Sequence, residues 1–194
     1  MPNWCHNTLT VKSDDPADLA RFVEAVKEHV DDDTLRKEYD STFFIGDEKP
    51  TFADWVVTRR ESRQPLSFET LVPCGTGDDW YESHLTKWGT KWDANFDGAV
   101  VALGGPEMDV DLTTKANGAV ETPTVVVYKF DTAWSPPLPF VQSASELYPE
   151  IEFTLRWAEV GNEAAAQHRF VAGLEVEQED LAVEDVLAPE EMWF

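Results

Sequence analysis

Hydrophobic and polar residues alternate in several stretches of the chain, and this period of two predicts β-strands with one buried face. The first such stretch is CHNTLTV, in which Cys5, Leu9 and Val11 share the apolar face. Further stretches with this alternation are TPTVVVYKFDTAW, IEFTLRWAE and HRFVAGLEVE. The pattern therefore predicts a sheet of several strands.

The stretch WGTKWDANF, residues 88–96, alternates in the same way and predicts a strand with two different faces. Its Trp, Ala and Phe side chains share one face, which we expect to lie against the core. Lys91 and Asp93 lie on the other face, where they could bind a partner. The stretch SFETLVPCG predicts a further strand, and GAVVAL with MDVDLTT predicts a hairpin.

A helical period follows the first strand directly. Asp15 is a suitable N-cap residue, and Pro16 suits the first position of a helix. Apolar residues then recur at helical spacing, namely Leu19, Phe22, Val23, Val26 and Val30. The stretch LPFVQSASELYP predicts a second helix, which Pro149 ends.

The order of these elements predicts an α+β fold, a ferredoxin-like β-α-β-β-α-β sandwich with a mainly antiparallel sheet and helices on one face. We expect one domain over residues 1–174, with a partly helical surface insertion at about 31–66. Residues 175–194 hold eight acidic residues and no Lys or Arg. This composition predicts a solvated, mobile C-terminal tail.

The charge of the chain restricts its partners. It carries 38 acidic and 15 basic residues, a formal net charge of −23. Such a field repels phosphate backbones and acidic membranes, so direct nucleic-acid binding is disfavoured and a protein partner with a basic surface is favoured. Adaptation to a salt-rich solvent is the alternative explanation. The sequence shows neither a signal peptide nor a membrane-spanning segment, which predicts a cytoplasmic protein.

Five motifs occur in a fixed order along the chain: MPNWCHNTLTV, LVPCG, WGTKWDA, FDTAWSPPLP, and LRWAEVG followed by FVAG. Together they resemble the YubB-type ferredoxin-like family, a group of phage- and plasmid-borne proteins of unknown function. The resemblance implies a ferredoxin-like topology and an origin in a mobile element. It implies no catalytic residues.

Metal and catalytic chemistry find little support in the sequence. Two cysteines are too few for an iron–sulfur cluster. A zinc site from Cys5, His6, Cys74 and His84 lacks a typical ligand spacing, and adjacent residues of a strand point to opposite faces. No nucleophile motif or phosphate-binding loop occurs. We therefore expect a non-enzymatic protein with no metal or cofactor.

Two candidate binding sites remain. The first is an acidic surface that would bind a host or phage protein. A more specific version of this hypothesis is that the surface mimics nucleic acid and acts in counter-defence. Its residues are Asp31, Asp32, Asp33, Glu175, Glu177, Glu179, Asp180, Glu184 and Asp185. The alternative is nucleotide or single-stranded nucleic-acid binding on an aromatic sheet face. Its residues are Lys91, Trp92, Asp93, Lys129, Trp134 and Arg156.

Overall fold

A computed structural model of the protein describes residues 3–43, 49–75, 77, 79–94, 101–104 and 124–187. The strands are β1 (Trp4–Lys12), β2 (Val101–Gly104), β3 (Val125–Ala133), β4 (Glu152–Glu159), β5 (Ala164–Val171) and β6 (Leu174–Leu181). The helices are α1 (Pro16–Ala25), α2 (Asp32–Ser41), α3 (Phe52–Glu61), α4 (Phe68–Leu71), α5 (Trp80–Lys87), α6 (Leu138–Leu147) and α7 (Val183–Val186).

The strands form one antiparallel sheet in the order β2-β3-β1-β4-β5-β6. Its first four strands have the strand order of a ferredoxin-like sandwich, with α1 and α6 as the two helical connections. The hairpin of β5 and β6 extends the sheet beyond β4. The predicted α+β ferredoxin-like fold is confirmed.

The core lies between one face of the sheet and the helices. Asp15 caps α1 as predicted, because its carboxylate accepts a hydrogen bond of 2.8 Å from the N–H of Ala17. Leu19 and Phe22 of α1 are buried with Leu9 of β1 in the same apolar cluster. The alternation of β1 and the helical period of α1 therefore give the buried faces that the sequence predicts. The opposite face of the sheet, which we call the open face, carries the alternate residues of each strand.

The prediction of a strand over WGTKWDANF is wrong for its described part. Trp88 follows the last residue of α5, and Gly89 adopts φ +82°, a left-handed conformation that ends the helix. Residues 89–94 form an irregular loop, and residues 95 and 96 lie outside the described residues. Alternation of large and small residues over so short a stretch occurs in loops as well as in strands.

The stretch SFETLVPCG is also not a strand. Ser67 caps the short helix α4 by accepting a hydrogen bond from the N–H of Thr70. A Ser at the N-cap position outweighs the apolar alternation that follows it. In the predicted hairpin, β2 confirms a strand at Val101–Gly104, whereas the second arm falls outside the described residues.

The acidic C-terminal segment is a strand and a helix up to residue 187, and not a mobile tail. Ala172 and Gly173 both have positive φ, +50° and +79°, and this pair makes a two-residue turn between β5 and β6. After β6, Leu187 packs behind α7 with Ala158 and Ala165 in a second apolar cluster. The predicted strand HRFVAGLEVE is therefore the end of β5, this turn and the start of β6, and not one strand.

The predicted insertion is helical, as expected, and it contributes α2 and α3. Asp31 caps α2, and Thr51 caps α3. Arg59 of α3 ties the insertion to the domain, because its guanidinium bonds Glu28 at 2.6 Å and Glu38 at 3.0 Å. In the described part of the chain, no helix is long and apolar enough to cross a membrane.

Candidate binding surfaces and a cluster of metal-type ligands

The acidic residues predicted in the insertion have structural roles. The carboxylate of Asp31 accepts hydrogen bonds from the N–H and the hydroxyl of Thr34, and the backbone bond lowers the pKa of Asp31. Asp32 forms an ion pair of 2.8 Å with Arg60 of α3. Asp33 is exposed in the first turn of α2, where a negative charge stabilises the helix. Capping and helix pairing therefore account for this charge run.

Asp31 also lines an open groove between the insertion and α4, with a volume of about 690 Å³. Four further carboxylates line the groove, those of Glu28, Glu38, Glu69 and Asp93. The sequence did not indicate this groove, because its walls come from segments far apart in the chain.

The acidic residues predicted near the C-terminus lie on β6, at the edge of the sheet, and on α7. The Glu175 carboxylate lies 2.6 Å from Nδ1 of His168, and Glu177 forms an ion pair of 2.9 Å with Arg169. Glu179 and Asp180 are exposed on β6 and have no ion-pair partner among the described residues. Glu184 and Asp185 follow in the first turn of α7 and are exposed as well.

β6 is an edge strand over the part of the chain that the structure describes, since it pairs with β5 alone. All but the last of its eight residues are exposed, including the apolar Leu174 and Val176. An edge strand presents unpaired backbone N–H and C=O groups along one side. This strand, with its acidic side chains, is the acidic edge.

Two of the predicted aromatic residues meet on the surface beside Lys91. The rings of Trp92 and Trp134 are stacked with centroids 6.4 Å apart, and the two residues are 40% and 44% exposed. The Lys91 ammonium lies 4.8 Å from the Trp92 ring centroid and 5.0 Å from that of Trp134. Trp4 completes the group at 6.1 Å from Trp92. These four residues are the aromatic patch.

Hydrogen bonds between separate loops hold the aromatic patch in place. The Ser135 hydroxyl donates to the carbonyl of Gly89 at 2.6 Å, and the Thr90 hydroxyl donates to the carbonyl of Ala133 at 3.0 Å. Trp134 has φ +69°, a conformation that costs a non-glycine residue on the order of 1–3 kcal/mol and is common at ligand contacts. Its N–H donates to the carbonyl of Asn3. The exposed rings are therefore firmly positioned.

The other three residues of the predicted aromatic site lie elsewhere, which corrects that prediction. Asp93 is half-buried and accepts hydrogen bonds from the Ser67 hydroxyl and from backbone N–H groups at the start of α4. Lys129 and Arg156 flank Thr8 on the open face. One terminal nitrogen of Arg156 donates to the carbonyl of Asp185 in α7. The open face is thus no continuous basic platform.

The remaining tryptophans of the motifs serve the core. Trp88 is buried, and its indole N–H donates to the carbonyl of Val72 at 2.8 Å. Trp157 packs partly buried against the same core. The sequence did not distinguish these buried rings from the exposed ones, and it did not place Trp4 in the patch. In the sheet, Asn3 and Trp4 of the first motif lie beside the FDTAW stretch at the end of β3, since Trp4 pairs with Ala133. This pairing is what brings Trp4 to the patch.

The four residues considered for zinc separate into two pairs. Cys5 is buried on the core side of β1, whereas His6 lies on the open face with its Nδ1 2.7 Å from Asp131. Cys74 and His84, in contrast, come together, and Glu69 joins them. Their ligand atoms all lie within 4.8 Å of one another, which makes this trio the metal-type cluster found among the described residues.

Comparisons with known proteins agree with this fold. Residues 110–191 match a family model described as a ferredoxin-like domain in Api92-like protein, and the match includes β3 to α7. Among solved structures, the chain is similar to a protein Api92 from Yersinia pseudotuberculosis, with a TM-score of 0.52 and 10% identity. That similarity covers 94% of this chain and 99% of the other, and at this identity it supports the fold alone. No curated protein matches the chain.

Proposed function

We propose that this chain, whose residues 110–191 match the ferredoxin-like domain of Api92-like proteins, is a non-enzymatic binding protein. It engages the basic surface of a protein partner. The observation that carries the proposal is the acidic edge. It joins exposed carboxylates, unpaired backbone groups and two exposed apolar side chains on one strand. No other described element combines these features.

The geometry of the edge suits a partner that normally binds nucleic acid. Glu177 and Glu179 project on the open face, about 6.6 Å apart at the usual rise of a strand, while Glu175 and Asp180 project on the opposite face. Acidic side chains then line both sides of the edge, as phosphates line a nucleic-acid strand. A basic groove would accept this edge by charge complementarity, and charge would also speed the encounter.

The setting that we propose follows from the sequence resemblance. The five motifs resemble the YubB-type family, which implies a phage or plasmid origin. In that setting the protein acts in the cytoplasm of the host cell, where occupation of a basic groove would serve counter-defence.

The proposal is tested by pull-down from nuclease-treated bacterial lysate, after which the complex is washed free of nuclease and challenged with duplex DNA as competitor. We expect a basic nucleic-acid-binding protein that elutes with rising salt and is displaced by the DNA. The double variant Glu179→Gln with Asp180→Asn should reduce its recovery about tenfold or more, since close charge pairs across an interface contribute about 1.5–7 kcal/mol.

The matched control is Asp14→Asn with Glu150→Gln, which removes two charges from exposed residues outside β6 and α7. Equal recovery with both double variants would reject the acidic edge as the binding site. A partner that DNA does not displace would reject mimicry.

The aromatic patch supports a second candidate function, binding of a nucleotide or a short single strand. Two exposed indoles offer stacking faces for a base, and Lys91 lies where it could meet a phosphate. The net charge of the chain opposes long nucleic acids, so this candidate favours a small ligand.

This second candidate predicts that nucleotides quench tryptophan fluorescence. Trp92→Phe should weaken the effect, because it removes one indole of the stacked pair. Trp55→Phe is the control, since Trp55 lies in the insertion against Tyr39 and Phe52. Absence of quenching at millimolar nucleotide would reject the candidate.

A further inference from the structure

The segment after α4 is bound to α5 through three successive backbone carbonyls. The carbonyls of Val72, Pro73 and Cys74 accept hydrogen bonds from the side chains of Trp88, Lys87 and Ser83, respectively. The bond lengths are 2.8, 2.7 and 3.3 Å. These three hydrogen bonds fix the backbone at and before Cys74, and so they fix the position of its thiol against α5.

Glu69 is directed to the same place. Its carboxylate accepts hydrogen bonds from the N–H of Cys74 at 3.0 Å and from that of Gly75 at 3.4 Å. Gly75 has φ +76°, which lets the chain turn sharply after the cysteine and present both N–H groups to one carboxylate. The carboxylate keeps further lone pairs for another ligand.

His84 completes the group with a defined tautomer. Its Nδ1 lies 2.7 Å from the carbonyl oxygen of Lys91, and a carbonyl can only accept, so Nδ1 carries the proton. With the proton on Nδ1, the nitrogen that can bind a metal ion is Nε2. Its plane is fixed by stacking on Trp88, with centroids 4.0 Å apart. A histidine that donates one ring N–H to a backbone carbonyl is the usual arrangement of a metal ligand.

We propose that Glu69, Cys74 and His84 bind one zinc-type divalent cation. Sulfur, imidazole nitrogen and carboxylate oxygen are the donors that zinc takes, whereas calcium and magnesium require oxygen. Bonds of about 2.0–2.3 Å in a tetrahedron place ligand atoms about 3.3–3.8 Å apart. The present separations, which are at most 4.8 Å, exceed the upper value by about 1 Å at most.

Three protein ligands leave a fourth position for water or for a donor from a partner. The ion would join α4, the loop after it and α5, and through the Lys91 carbonyl it would brace the loop that carries Trp92. This inference goes beyond the proposed binding function and does not depend on it.

The first test uses the chelator-treated, untagged chain with Zn²⁺ and Co²⁺ as probes. We expect one Zn²⁺ per chain by native mass spectrometry. Co²⁺ should give a tetrahedral spectrum with a thiolate-to-cobalt charge-transfer band. Zn²⁺ should also protect Cys74 from alkylation, as read from its peptide mass. Absence of that band, or alkylation of Cys74 at the same rate with and without Zn²⁺, would overturn the proposal even if metal binds elsewhere.

The second test assigns the ligands. Cys74→Ser, His84→Gln and Glu69→Gln should each lower the Zn²⁺ affinity by more than about 100-fold, because even outer partners of a site contribute about 10- to 100-fold. Cys5→Ala and His29→Gln are the controls: Cys5 is buried on β1, and His29 is exposed after α1. Unchanged affinity in Cys74→Ser, or an equal loss in either control, contradicts the assignment. Circular dichroism identifies a variant that fails to fold. In that case the Zn²⁺ affinities of the two other ligand variants and the cobalt spectrum of the wild-type protein test the assignment.

Discussion

Asp93 is a carboxylate that joins two loops of the domain. It accepts hydrogen bonds from the Ser67 hydroxyl and the N–H of Phe68, at 2.9 and 2.6 Å, and from the N–H of Ala94 at 2.7 Å. Burial raises the pKa of Asp93, while these donors act in the opposite direction. The alternation in the sequence predicts Asp93 on the exposed face of a strand, but the residue caps α4 from outside, together with the N-cap residue Ser67. Phe68, the first residue of α4, lies 25 residues earlier in the chain than Asp93.

Asp93→Ala should lower the free energy of unfolding by about 3 kcal/mol, because it leaves several buried donors without an acceptor. Urea denaturation measures the change. Asp79→Ala is the control, since Asp79 occupies the N-cap position of α5 without a side-chain capping bond. The control should change stability by less than about 0.5 kcal/mol. Equal losses in both variants would show that Asp93 is no cap.

Glu28 connects the insertion to the domain by charge. Burial alone would raise its pKa, but hydrogen bonds from Arg59 and from the N–H of Gln64 outweigh this effect, and the pKa of Glu28 lies below its ordinary value. A carboxyl group with a lowered pKa in the folded state stabilises the fold above its unfolded pKa of about 4.3. That contribution is lost as the pH falls through the folded-state pKa.

Glu28→Gln should therefore lower the unfolding free energy by about 1–2 kcal/mol at neutral pH, and the difference should vanish in strong acid. Thermal unfolding over a pH series measures it. Glu24→Gln on α1 is the control, because Glu24 is exposed and its ion pair is with Lys27 of the segment just after α1. A stability difference that persists below the folded-state pKa would contradict the assignment to charge.

At the scale of elements, the hairpin of β5 and β6 contains a residue poorly suited to its turn. Ala172 has φ +50°, and a residue with a Cβ pays about 1–2 kcal/mol for this conformation. Asparagine tolerates it far better, and Asn-Gly is the preferred pair for a turn with two positive φ angles.

Ala172→Asn should raise the unfolding free energy by about 1 kcal/mol. Gly173→Ala should lower it, because φ is +79° and the added Cβ would lie 3.2 Å from the Cβ of Glu146. Thermal denaturation of the two variants measures both changes. Destabilisation by Ala172→Asn would mean that the turn does not have these angles.

Elements with long apolar periods could be predicted from the sequence, and those defined by a single turn could not. β1, α1, β3 and α6 each bury the face that the period indicates. The prediction that WGTKWDANF turns one aromatic face to the core is wrong, because its two Trp residues lie in different surroundings. Trp88 fills the core, and Trp92 stacks on Trp134 at the surface. The cluster of Glu69, Cys74 and His84 had no sequence signature, since its spacing depends on how α4 and α5 pack.

For the whole molecule, the charge of −23 acts against the compact state, because like charges come closer on folding. Added monovalent salt screens this repulsion. The midpoint of thermal unfolding should therefore rise as sodium chloride is added. Glu179→Gln with Asp180→Asn should raise it at low salt and lose the advantage at high salt. A midpoint that falls with salt would show that the specific ion pairs, such as those of Arg59, dominate instead.

The same edge strand has a consequence for the protein in concentrated solution. A strand of eight residues with one side unpaired in the described sheet is a template on which a second copy can add, and repeated addition leads to fibrils. Negative side chains on both faces of β6 keep two such edges apart while they are ionised. Storage and crystallisation of this protein therefore depend on keeping these carboxylates charged.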